Sequence, residues 1–134
     1  TPFFWRKTNT GGSTANATML LPNVMECGLY GWRGNVELAE KGRANCLNFP
    51  TPKVDRIHEA QKDLSLQKAI LKIFTNDGDT VLDCFAGSAS MLRACVEMER
   101  ICYSCELNED LYNSAMSECS NMLHTEEEES DENS

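Results

Sequence analysis

The stretch Thr80-Val81-Leu82-Asp83-Cys84-Phe85-Ala86-Gly87-Ser88-Ala89-Ser90, followed by Ile101-Cys102-Tyr103-Ser104-Cys105-Glu106, decides the fold. Thr80, Val81 and Leu82 make a short strand-forming run that ends in a carboxylate. The residues after it are nearly all small, as in a turn that something must approach closely. Met91, Leu92, Cys95 and Met98 then recur at helical spacing, and 101–105 reads as a second strand ending in Glu106. Upstream, Leu66, Ala69, Ile70, Ile73 and Phe74 fall on one stripe of a helix that Asp63 can cap, and 75–79 is a turn. Downstream, Leu111, Tyr112, Ala115, Met116 and Cys119 mark a third helix with Asn108 before it. Strands joined through a helix pair in parallel by a crossover, so the order predicts an α/β fold, a parallel sheet flanked by helices.

In such a sheet a ligand sits against the small-residue turn after the first strand, because side chains there would block it. Gly87 is the residue that lets the backbone turn tightly, with or without a ligand. Glu106 lies 23 positions after Asp83, close to the offset of about 20 residues at which a carboxylate meets ribose hydroxyls in nucleotide folds. A phosphate cradle would call for backbone N–H groups and a lysine, and no Gly-Lys-Ser/Thr follows here. A carboxylate beside the turn suits an amino-bearing ligand instead, which points away from NAD and toward S-adenosylmethionine.

Outward from this unit the pattern loosens. Phe3-Phe4-Trp5 reads as the end of a strand, 8–18 is polar loop sequence, and 19–49 alternates short apolar groups with Gly, Asn and Pro, the habit of short strands and turns. Pro50-Thr51-Pro52 closes this part as a stiff connector. The 134 residues suffice for one ordinary domain, and no apolar run is long enough for a membrane-spanning helix. Net charge is −9, but the ending from Thr125 to Ser134 carries six of the 21 acids and no base, leaving −3 on the rest. That ending reads as a solvated, disordered tail, a solubilising terminus or a dock for a basic partner. Seven cysteines without regular spacing fit free thiols in a reducing, intracellular compartment, cytoplasm or nucleus. Cys102 and Cys105 form the sole CxxC, on a strand where positions three apart face opposite ways, so no zinc or other metal site is expected.

Three motifs resemble those of the DNA methyltransferases that modify the exocyclic amino group of adenine (N6) or cytosine (N4). Residues 76–88 look like the cofactor motif GD-x-VLDPF-x-GSGT, His58-Glu59-Ala60-Gln61-Lys62-Asp63-Leu64 is similar to H-P-T-Q-K-P-L, and 104–112 resembles G-I-E-x-x-x-x-Y. Their order matches the circularly permuted arrangement in which the catalytic part comes first. Trp5-Arg6-Lys7-Thr8-Asn9 resembles the W-x-K-x-N strand of the target-base pocket.

The resemblance implies a partial Rossmann-like methyltransferase fold, S-adenosyl-L-methionine as cofactor and DNA as partner. It places Phe85, Ala86, Gly87 and Ser88 beneath the methionine part, Asp83 at its amino group, Glu106 at the ribose, and Gln61 and Lys62 near its carboxylate. Glu106 as a surface carboxylate capping the next helix is the alternative. Trp5 is expected to stack on an extruded base or else to be a core aromatic. Arg33, Lys41 and Arg43 are the bases available for phosphate contact in a recognition insertion. The division expected is 1–9 pocket strand, 10–50 target-recognition insertion, 51–123 cofactor-binding portion and 124–134 acidic tail. The family's D/N/S-P-P-Y/F/W catalytic motif does not occur among these residues. The chain therefore reads as the cofactor half of a longer enzyme, its catalytic half supplied elsewhere, or as a methyltransferase-like scaffold that has lost activity; RNA or a small molecule as substrate is a third reading. Cys84, Ala89, Ser90 and Asp63 depart from the motifs. A positive φ at Ala89, where the motif has glycine, is expected to weaken cofactor binding.

Overall fold

The structure is a computed structural model that describes residues 1–8, 23–51, 62–117, 119 and 120. Its elements are β1 (Pro2–Lys7), β2 (Met25–Leu29), β3 (Cys46–Phe49), α1 (Leu64–Phe74), β4 (Thr80–Asp83), α2 (Ser90–Glu97) and β5 (Ile101–Ser104), followed by a helix over 109–117, α3. β4 and β5 pair in parallel as expected, Val81 opposite Cys102 and Asp83 opposite Ser104. The capping residues also match. Asp63 accepts the Ser65 N–H at 2.9 Å, and Asn108 accepts the Leu111 N–H through its side chain at 3.1 Å.

A second sheet, ordered β2-β1-β3, was not legible as a sheet in the sequence. β1 runs antiparallel to β2, with Phe3 opposite Gly28 and Trp5 opposite Glu26, and parallel to β3, with Trp5 opposite Leu47. β1 and the two strands from the later part of 10–50 are thus joined in one layer. Gly28 is required by its partner, since a Cβ there would stand 2.3 Å from the Phe3 ring.

Helix α1 lies between the two sheets and is buried on two sides. Leu66 and Ile73 meet Trp5 and Leu47 in one core cluster, while Leu71 meets Ala94 and Cys95 of α2 in another. The single stripe read from the sequence covers the first side and omits Leu71, which is only 2% exposed. Carbonyls at the end of α1 are satisfied from outside the helix, as when Ala39 donates its N–H to the Ile73 carbonyl at 2.9 Å.

α2 ends in a left-handed turn. Glu99 has φ 59°, and the Arg100 N–H reaches back to the Cys95 carbonyl at 2.8 Å. The Arg100 guanidinium then donates to the Thr75 hydroxyl and carbonyl, both at 3.2 Å, and to Asp77 and the Met98 carbonyl, stapling the entry of β5 to the turn before β4. Burial pushes the Cys95 thiol up to about 12, helped by the neighbouring Cys102, so it stays a neutral core group. α1 and α2 lie on one face of the β4–β5 pair. On the other face Leu82, Ile101 and Tyr103 are all more than half exposed among the described residues. No helix among those residues is long and apolar enough to cross a membrane.

Candidate functional site

The carboxyl ends of β4 and β5 open onto a hollow of about 520 Å³ whose walls include Lys62, Asp83, Phe85, Ala86, Gly87, Ser88 and Glu106. Seven of the eight residues expected to meet a cofactor therefore converge on one cavity. The eighth, Gln61, lies outside the described residues. A topological position at strand carboxyl ends is where open α/β sheets take their ligands.

The turn is built by two residues in the left-handed region. Gly87 has φ 53° and Ala89 has φ 55°, so the chain reverses twice within three residues and then enters α2. The motif glycine replaced by Ala89 is thus at a position where the fold does demand positive φ, which costs an alanine about 1 kcal/mol. Its methyl is buried, with the residue 1% exposed, so packing offsets part of that cost. Three bonds hold the turn: the Ala86 N–H to the Cys105 carbonyl at 2.9 Å, the Ala89 N–H to the Ala86 carbonyl at 2.8 Å, and the Gly87 N–H to Glu106 Oε2 at 2.7 Å.

Glu106 lines the cavity and also shapes the chain on either side of it. Its Oε1 accepts the Asn108 N–H at 2.8 Å, the local turn preceding α3, while its Oε2 latches the Gly87 amide at the cavity wall. Asp83 holds the Phe85 N–H at 3.1 Å in the same way.

Opposite charge comes from Lys62, whose ammonium is 2.7 Å from Glu26 Oε2 and 5.3 Å from the centre of the Trp5 ring. The cavity thus carries a cation and two carboxylates, a pattern complementary to a zwitterion bearing a diol. Leu82, Phe85, Met91 and Leu111 supply its apolar surface, and Phe85, 92% exposed, stands at the rim. Two further polar residues line it, Gln67 and Ser90, both buried, with Gln67 Nε2 donating to Ser90 Oγ at 3.4 Å. Gln67 was missed from the sequence, where the available signal was an amide at helical spacing from Ile70 and Phe74 on an otherwise apolar helix side.

The remaining candidates, Trp5, Arg33, Lys41 and Arg43, do not line this cavity. Trp5 is the core aromatic and not the stacking platform: it is 4% exposed, packs with Leu47, Leu66 and Ile73, and its Nε1–H is spent on the Phe49 carbonyl at 2.8 Å. A ring so enclosed has no face for a base. Arg33, Lys41 and Arg43 do not make a common basic patch. Lys41 is paired with Glu37 at 2.5 Å and Arg43 with Glu40 at 3.0 Å, which cancels the charge locally. Arg33 lines a separate hollow with Tyr30, Trp32 and Phe74. Phe74 is at the far end of α1 from Gln67, a rise of about 10 Å along the helix.

The model of a DNA methylase family, the N6/N4 methyltransferases, matches residues 30–117. The type II methyltransferase M.HindIII of Haemophilus influenzae is 32% identical over 120 residues, covering 86% of this chain and 38% of its own length. The crystal structure of the M1.HpyAVI complex with S-adenosylmethionine superposes with a TM-score of 0.72 at 25% identity, over 87% of this chain and 58% of that one. PvuII DNA methyltransferase, cytosine-N4-specific, superposes with a TM-score of 0.68 over 86% of this chain and 49% of its own. At 14% identity that likeness speaks for the fold alone. The chain spans less than two thirds of the length of each of these relatives. With the family match running through β3, α1 and the whole β4–α2–β5 unit that shapes the cavity, the chain belongs to the N6/N4 family of DNA methylases.

Proposed function

We propose that this chain supplies the S-adenosylmethionine-binding half of a DNA methyltransferase acting on the exocyclic amino group of adenine or cytosine. The observation that carries this reading is the convergence of Lys62, Asp83, Gly87 and Glu106 on one cavity at the carboxyl ends of β4 and β5. The donor set fits the cofactor. Asp83 would take its ammonium, Lys62 its carboxylate and Glu106 its ribose hydroxyls, while the turn from Phe85 to Ser88 lets its methionine portion lie close to backbone. When bound, this cofactor contributes a methyl group made electrophilic by a sulfonium. The chain's own residues bind and orient; a catalytic D/N/S-P-P-Y/F/W segment is not among the 134 residues, so amino-group activation falls to another part of the protein or to a partner.

DNA as substrate and its target base rest on family membership, not on any basic face of these residues. Lys41 and Arg43 each pair with a neighbouring acid, which supports a reading in which phosphate is gripped mainly by the part that carries catalysis. Calorimetric titration of the purified chain with S-adenosylmethionine tests the cofactor assignment. Glu106→Ala and Asp83→Ala should each weaken binding about tenfold or more, as expected for loss of a charge-assisted hydrogen bond. An unmodified chain that takes up no cofactor at millimolar concentration would sink the assignment. Binding that persists in the intact protein without methyl transfer to DNA would favour the scaffold reading, for which the strained Ala89 turn is the supporting observation.

A further inference from the structure

Glu26 sits on β2, was not singled out by any motif, and does not line the cavity. It nevertheless holds the one lysine among the described residues that line the cavity. Its Oε2 is 2.7 Å from Lys62 Nζ and its Oε1 is 2.8 Å from Lys7 Nζ, so a single carboxylate bridges two ammonium groups. Both ammoniums lie over the same ring, 5.3 Å and 5.5 Å from the Trp5 centroid. Trp5 is itself locked by its bond to Phe49 and by the core beneath it.

Two features of this cluster matter for a ligand. Its net charge is +1, because Lys7 offsets Glu26 and leaves the charge of Lys62 uncancelled. Its geometry is also fixed in advance: a lysine side chain free to rotate would lose considerable rotamer entropy on meeting an anion, whereas here the anchor and the ring have already confined it. Burial alone would raise the Glu26 carboxyl, but the hydrogen bonds and charges of Lys62 and Lys7 outweigh it and hold the group below its ordinary value. The anchor is therefore ionised at neutral pH.

We infer that Glu26 is a positioning residue for the cofactor's carboxylate: through Lys62, with Lys7 as counter-charge and Trp5 as platform, it ties the β2–β1–β3 sheet to the ligand cavity. This rests on the reading of the cavity as the S-adenosylmethionine site. A glutamine in its place could not balance two ammoniums, which would repel one another and release Lys62.

The test uses two probes in calorimetric titration of the purified chain: S-adenosylhomocysteine, which has the amino-acid carboxylate, and methylthioadenosine, which lacks it. Glu26→Gln should weaken S-adenosylhomocysteine by about three- to tenfold, the loss expected when one long side chain must be immobilised afresh. Methylthioadenosine should change less than about twofold, since it makes no use of the lysine. Lys62→Met should narrow the discrimination between the two probes to what Asp83 contributes through the amino group, and Glu26→Gln added to it should change nothing further. Equal weakening of both probes by Glu26→Gln, or tighter binding of S-adenosylhomocysteine, would overturn the inference. The same holds if Glu26→Gln still acts in the Lys62→Met background. Failure of the underlying reading looks different, since the unmodified chain would then bind neither probe.

Discussion

The β4–α2–β5 unit walls the cavity and, among the described residues, the β2–β1–β3 sheet reaches it only through the Glu26–Lys62 pair, and the two are each held together by different kinds of contact. In the first, each element follows the last within about 20 residues, and the joints are local: the left-handed turn at Glu99, the Arg100 staple and the Glu106 latch. In the second, β1 finds its partners 19 to 42 residues away in sequence, and Trp5 with Leu47 fastens the sheet to α1 through side-chain packing. A sheet assembled from distant strands depends on a few large side chains. A unit of adjacent elements spreads its stability over turns and caps.

That contrast can be broken at its strongest point first. Trp5→Ala should cost about 4 kcal/mol in chemical denaturation, the usual loss for a buried tryptophan. A near-unchanged midpoint would mean that Trp5 is no keystone of the first sheet and would reopen its role at the surface. Leu71→Ala, on the α2-facing side of α1, should cost about 3 kcal/mol; a far smaller loss would show that the two core clusters are unequal. Glu99→Gly should stabilise the protein by about 1 kcal/mol by relieving an exposed left-handed residue, net of glycine's greater freedom when unfolded. It should register as a thermal midpoint a few degrees higher. A lower midpoint would show that this side chain has a structural task.

Acidity sharpens the comparison with the smallest effect. The Glu26 carboxyl is depressed in the fold, so its contribution is present above its ordinary value of 4.5 and is lost as the pH falls through the lower folded value. The gap in thermal midpoint between the parent and Glu26→Gln should therefore be open at pH 7 and close near pH 3. A gap that stays constant would mean that the pairing with Lys7 and Lys62 adds nothing to stability.

What could be read from the sequence follows the same division. Thr80 to Glu106 announced strand, turn, helix and strand because each signal lies within its own segment, and the cavity residues Asp83, Gly87 and Glu106 come from that stretch. Cap residues Asp63 and Asn108 were legible for the same reason. The pairing of β1 with β3 was not, because Trp5 opposite Leu47 is set by tertiary packing and neither segment states its partner. Trp5 itself illustrates the difficulty: a tryptophan before two charged residues looks like a surface aromatic, and only the positions of Leu47, Leu66 and Ile73 make it core. Leu71 was missed because one helix stripe was counted where the fold buries two. Glu26 had no signal at all, since an acid on a half-exposed strand acquires its meaning from two lysines 19 and 36 positions away.

The bonds that close the ligand turn also set how it moves. The amides of Ala86 and Gly87 are donated to Cys105 and Glu106, groups at the end of a neighbouring strand, so neither N–H can meet solvent unless the turn parts from β5. In hydrogen–deuterium exchange these two amides should therefore open together, at a rate set by that separation rather than by loop fluctuation. A turn that opens only with its strand behaves as a fixed seat and not as a lid.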